Sequence, residues 1–180
     1  LTTLNVLPVH PSHLNLLKEF TDNEIGSGYY TLAEIQEIIS HSHFGETGKI
    51  PVSFVLVDTS GKIQGVRLSY PPGKWLQHYK SSKVTPEKWG VPPTSAGYFK
   101  SLFIAEKFQK DGWGPRLSQL SLKNMQALGA KAIVTHCWKE SPGGASQKYL
   151  ERQGFVPVNV HPFFWAEVDY HCTGCLQKPC

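Results

Sequence analysis

The chain has 180 residues, 40% apolar and 18% charged, enough for one packed domain and too apolar for a disordered chain. Its net charge of +4, without a stripe of alternating basic and aromatic residues, argues against a dedicated nucleic-acid binder. No run approaches the roughly 18 apolar residues of a membrane span, and the start LTTLNVLPVHP has no basic n-region of a signal peptide.

In chain order, Asn5–His10 reads as a short strand. Ser12 is placed to cap a helix bearing Leu14, Leu17 and Phe20. Thr31 and Glu34 form a capping-box pair, opening a second helix with Leu32, Ile35, Ile38 and Ile39 on one side. Val52–Asp58 and Ile63–Tyr70 read as a hairpin around Thr59-Ser60-Gly61-Lys62, with Val66, Leu68 and Tyr70 at period two. Residues 71–97 show no period, hold five prolines with Trp75, His78, Tyr79 and Trp89, and suit either a binding loop or a surface meander pinned by its aromatics. Tyr98–Ala105 is a strand, Arg116–Leu128 a helix ended by Gly129, and Lys131–Trp138 another strand. Ser146–Gln153 is a short helix closed by Gly154, and Val156–Val168 supplies one or two last strands. The strand–helix–strand unit at the centre implies that part of the sheet is parallel.

Between the strand Tyr98–Ala105 and its helix lies Gln109-Lys110-Asp111-Gly112-Trp113-Gly114-Pro115. Glycine lets a backbone bend sharply and approach a ligand closely, and the first N–H groups of a helix lack intrahelical partners. Together with the helix dipole they suit a diphosphate. The third glycine of the dinucleotide fingerprint is missing, because Leu117 occupies its position, and the Walker Gly-Lys-Ser/Thr is absent.

What remains, Gln-x-x-Gly-x-Gly after a strand, resembles the acetyl-CoA motif of the GCN5-related N-acetyltransferases. Downstream, Tyr149-Leu150-Glu151-Arg152-Gln153-Gly154-Phe155 is similar to that family's aromatic-Tyr-Glu-Lys-x-Gly-Phe block, and the element order agrees over residues 4–168. The resemblance implies an α/β (α+β) fold, with a mixed, mostly antiparallel sheet of 6–7 strands, about four helices, and a splayed strand pair for the cofactor. It covers residues 1–168, leaving 169–180 as a tail. It implies an acetyl-CoA-dependent transfer to a primary amine, small-molecule or peptide, by direct attack in a ternary complex. Leu102, Phe103 and Ile104 would pair with the pantetheine arm. Gln109, Lys110, Gly112, Trp113 and Gly114 would cradle the diphosphate, Arg116 would add charge, and Ser146 would lie beside the thiol. Three departures stand out. Pro115 removes one N–H donor, although proline suits a first helical turn. Gly143 replaces the asparagine common before the last helix. Leu150 aligns with the tyrosine often used as general acid, while Tyr149 precedes it, a rotation of about 100° on a helix.

The candidates for proton transfer are Tyr149, His136 and Glu106. A neutral imidazole suits a base near pH 7, whereas a hydrogen-bonded sheet histidine is the plainer reading of His136, and a surface carboxylate that of Glu106. Cys137 alternates to the face opposite His136 and reads as a small core residue rather than a nucleophile. The four cysteines form no even framework, which suits a reducing, cytoplasmic setting. Cys172, Cys175 and Cys180, with His171, look like part of a zinc site short of its full ligand set, or a set of free thiols. The alternative to an enzyme is a CoA or acyl-CoA sensor or adaptor that uses this tail. Neither a membrane nor a nucleic-acid partner is expected, and a homodimer is compatible with the composition.

Overall fold

A computed structural model describes residues 3–44, 50–76 and 86–164. Its main sheet has five strands in the order β1-β4-β5-β6-β7. These are β1 (Leu4–Pro8), β4 (Phe54–Asp58), β5 (Ile63–Tyr70), β6 (Ala96–Ile104) and β7 (Ala132–Val134). The first four are antiparallel neighbours, and β7 joins β6 in parallel. Two-residue strands β2 (His43–Phe44) and β3 (Ile50–Pro51) form a separate ribbon. The helices are α1 (Leu14–Glu24), α2 (Leu32–Ser40), α3 (Trp113–Ala127) and α4 (Ala145–Arg152).

The alternation of the strands decides which helix lies on which face. Val55 and Val57 of β4, with Val66, Leu68 and Tyr70 of β5, pack with Leu17, Phe20, Ile35, Ile38 and Ile39 of α1 and α2. Phe54 and Leu56 face the other way and pack with Leu117 of α3. Every residue of β5 is buried, since both of its faces are covered. Burying each leucine-sized side chain in these layers contributes roughly 2 kcal/mol.

Several expected signals act locally as read. Thr31 Oγ1 accepts from the Glu34 backbone and the Glu34 carboxylate accepts from the Thr31 N–H at 2.8 Å, completing the capping box of α2. In the β4–β5 turn Asp58 accepts from Ser60 and from the Lys62 backbone, which holds its carboxyl down to about 2. Trp75 is fully buried, donates to the Ala96 carbonyl at 2.8 Å and stacks on Tyr98, so it pins the start of the long loop.

Other expectations change. His10, not Ser12, caps the turn before α1, because Pro11–His13 forms a separate 3-10 turn first. α3 starts three residues earlier than its apolar period suggested, since Gly112 takes a left-handed φ of 81° as the N-cap and lets Trp113 begin the helix. Lys131–Trp138 shrinks to the three residues of β7. Over 156–164 the structure has no strand, and Val156, Val158 and Val160 are exposed at period two. Among the described residues the main sheet accordingly has five strands, fewer than the six or seven expected. His78, Tyr79 and the tail from 165 onward lie outside the described residues.

Candidate functional site

The site forms where β6 and β7 part. β6 runs nine residues, yet it pairs with β7 only from Ala96 to Tyr98. Beyond Tyr98, among the described residues, no strand covers that edge of β6, while β5 continues to pair on its other side as far as Ile104. The register gives a cause. Leu68 and Ser69 of β5 face Ser101 and Phe99 of β6, so Lys100 is an extra residue on β6. Such a bulge bends and twists its strand, and β7 cannot follow. Thr135, just past β7, donates from its hydroxyl to the Phe99 carbonyl at 2.9 Å and closes the base of the fork. Above it, Leu102, Phe103 and Ile104 are half-buried along the open edge.

At the far end of β6 the chain turns into α3. Gln109 donates from its side-chain amide to the Ile104 carbonyl at 2.9 Å, so its head fixes the turn to the end of the strand. Lys110 has a left-handed φ of 69° and Gly112 follows at 81°. Lys110 and Arg116 are exposed. Gly114 is buried in the first turn, where an added Cβ would lie 3.3 Å from Leu102 Cδ2 and 3.8 Å from Tyr149 Cε2. A side chain here would require Leu102 to give way by a few tenths of an ångström, and glycine lets α3 start close to β6 without that shift. The N–H groups at the start of α3 thus stand beside the open strand edge, the helix dipole adding partial positive charge. Pro115 contributes none. The Trp113 indole packs toward the cluster of Phe54, Leu56 and Leu117, with the Arg116 guanidinium 5.1 Å from its ring centre. Trp113 thus offers the site its backbone and not its ring. Ser146, in the first turn of α4, is held by its N–H on Ser141 Oγ at 3.1 Å.

The three proton-transfer candidates are not brought together. His136 stands at the fork, its Nδ1 2.9 Å from the Tyr98 hydroxyl. Burial, then His161 and Lys100, push its pKa down to about 4. Glu106 lies beyond the opposite end of β6; the seven steps from Tyr98 to Ala105 span roughly 23 Å at strand rise. There Glu106 is exposed in the wall of a cavity of about 630 Å³, with Leu16, Phe20 and Gln64 on the β5 side of the sheet and away from the fork. Tyr149 turns its hydroxyl under α3, 2.7 Å from Ser118 Oγ and 3.2 Å from the Gly114 carbonyl. The one-residue offset in its motif foretells that rotation. Cys137 is exposed rather than in the core, and burial of its sulfur followed by Glu151 raises its pKa.

Sequence reading missed the polar groups that flank the fork. On the α1/α2 face, Tyr30 and Ser101 share a hydrogen bond. Lys100 lies 5.9 Å from the Tyr30 ring centre, its pKa lowered by burial against the opposing pull of Glu34 and Glu37. On the α3 face, Arg67 of β5 is 3% exposed and donates to Ser118. A lone arginine in an alternating strand was the only signal for it. Cys172, Cys175, Cys180 and His171 lie outside the described residues, and among the described residues no group of three or more His, Cys, Asp or Glu could hold a metal. Among these residues, too, no helix is long and apolar enough to cross a membrane.

No family model and no curated protein matches the chain. Solved structures do. The chain is similar to aminoglycoside N-acetyltransferase AAC(6')-Iy in complex with a CoA bisubstrate analogue, with a TM-score of 0.64 at 16% identity over 90% of this chain and 97% of that one. The ribosomal-protein-S18-alanine N-acetyltransferase of Escherichia coli aligns with a TM-score of 0.62 at 10% identity, over 93% and 86% of the two chains. A GNAT-family acetyltransferase of Staphylococcus aureus Mu50 aligns with a TM-score of 0.60 at 12% identity, over 87% of each. The forked sheet, the glycine turn into α3 and these alignments agree: the chain has the fold of the GCN5-related N-acetyltransferases.

Proposed function

We propose that the protein is an acetyl-CoA-dependent N-acetyltransferase acting on a primary amine. The observation that carries this reading is the open edge of β6 leading, through a 3-10 turn at Glu106–Phe108 and the glycine turn, to the N-terminus of α3. An extended amide-bearing chain can add to such an edge as a strand would, and a diphosphate meets unpaired N–H groups at its end. Leu102, Phe103 and Ile104 would hold the pantetheine amides. Gly112, Trp113 and Gly114 would offer backbone N–H groups to the phosphates, and Lys110 and Arg116 the surrounding charge. Neighbours solved in complex with CoA or its bisubstrate analogue support a CoA-dependent reading.

In the reaction the amine nitrogen attacks the thioester carbonyl carbon, the C–S bond breaks, and the thiolate leaves and takes a proton. Holding the two reactants together lowers the barrier without a covalent intermediate on the protein. A group titrating near 4 is a weak base at neutral pH, so His136 serves as an uncharged hydrogen-bond partner that orients the amine, and the proton passes to water. The acceptor would enter from the α1/α2 face, where Tyr98, Tyr30, Ser101 and Lys100 gather. Neighbours named for aminoglycoside antibiotics support a small-molecule amine, and the one named for a ribosomal protein supports a peptide amine. The test is thiol release from acetyl-CoA with a panel of aminoglycosides, polyamines and peptide N-termini. Turnover with any of them supports the reading. Tight CoA binding without turnover by any amine favours a sensor instead.

A further inference from the structure

Beneath the first turn of α3 the proposed reaction leaves a buried cation without a task. Arg67 projects from β5 between the sheet and α3, its guanidinium carbon 4.2 Å from the Phe99 ring centre. Among the described residues it has no carboxylate partner. Its Nε and one Nη donate to the same acceptor, Ser118 Oγ, at 3.1 and 2.7 Å. Guanidinium can only donate, which orders the protons that follow. Ser118, already accepting, gives its own proton to the Tyr149 hydroxyl at 2.7 Å, and Tyr149 gives its proton to the Gly114 carbonyl at 3.2 Å. The bonds run one way, from a fixed charge to a backbone carbonyl, and each polarises the next. Burial lowers the Arg67 pKa to about 10, with Tyr149 acting in the opposite direction, so the chain keeps its charge at neutral pH.

Gly114 sits in the turn whose N–H groups would meet the diphosphate, and a Cβ added to it would lie 3.3 Å from Leu102 on the open strand edge. We propose that Arg67, Ser118 and Tyr149 form a positioning relay that clamps the Gly114 peptide, and with it the first turn of α3, in the pose that receives the diphosphate of CoA. The relay joins side chains of β5, α3 and α4. Tyr149 then acts through α3 rather than on the thiol. This inference rests on the acetyl-CoA reading above.

The experiment titrates CoA, and separately pantetheine, which lacks the diphosphate, into wild type and Tyr149→Phe, and follows amide exchange in both proteins. Loss of one hydrogen bond in the relay should weaken CoA roughly tenfold, leave pantetheine unchanged, and speed exchange in residues 112–118 but not in α1 or α2. Unchanged CoA affinity would overturn the relay, as would equal weakening of CoA and pantetheine. Should Tyr149→Phe not fold, Ser118→Ala breaks the same chain at its middle and is read the same way. Wild type that binds no CoA sinks the acetyl-CoA reading itself, and the relay with it.

Discussion

On the α3 face of β6 the site is made of backbone: Gly114 against Leu102, a left-handed Gly112, and helix N–H groups in a row. On the α1/α2 face it is made of side chains from remote parts of the chain: Tyr30, Tyr98, Lys100, Ser101 and His136. Under the proposed function the contrast follows from what each face would hold. A diphosphate and two amides are the same in every acetyl-CoA, and backbone dipoles suffice for them. An acceptor amine must be told from other amines, and only side chains do that.

The largest effect should come from Arg67→Ala, on the α3 face of the sheet. Removing the buried guanidinium leaves a cavity and takes two donors from Ser118, and should cost about 3 kcal/mol. Thermal melting should fall by roughly 10 °C. A fall of only a degree or two would mean that the buried cation is dispensable. Next, Gly114→Val places branched carbons against Leu102 and should push α3 off β6. Acetyl-CoA turnover should then drop on the order of 100-fold, the scale of a small misplacement. If turnover survives, the close approach of α3 is not what makes the cradle.

The α1/α2 face should answer to pH instead. His136 titrates near 4 when folded, below its ordinary 6.5, so the unfolded chain binds its proton first. Its contribution is fully present above pH 6.5 and is lost as pH falls through about 4. Allowing for its partial exposure, that loss should amount to about 2 kcal/mol. Melting curves of His136→Gln should therefore lose less stability than wild type between pH 7 and pH 4, while its CoA affinity stays the same. Parallel curves for the two proteins would remove His136 from the account. The smallest effect is expected of Trp75→Phe, which gives up the bond to the Ala96 carbonyl and should cost about 1 kcal/mol with CoA binding intact.

The same division explains what could be read in advance. The capping box at Thr31 and the hairpin around Asp58 are local, so a few adjacent residues specify them. The glycine turn is local too, and its Gln-x-x-Gly-x-Gly spacing was readable from adjacent residues. The family resemblance implied the fork, but its cause was not legible, because the extra residue of the bulge, Lys100, is defined only by pairing with β5. Nor was the relay, since Arg67 and Ser118 are 51 positions apart. Tyr149 shows the boundary best. Its offset from the family pattern foretold that it would turn, but not that Ser118 and Gly114 would receive it. The strands expected after Phe155 failed on the described stretch because alternating valines state a preference for extended backbone, and a strand also needs a partner.

Calorimetric titration of the folded protein with acetyl-CoA tests the central claim most directly. A fork ending at a helix N-terminus predicts saturable binding to one site, weakened by salt as the diphosphate contacts are screened. Folded protein that takes up no heat at millimolar acetyl-CoA would contradict it.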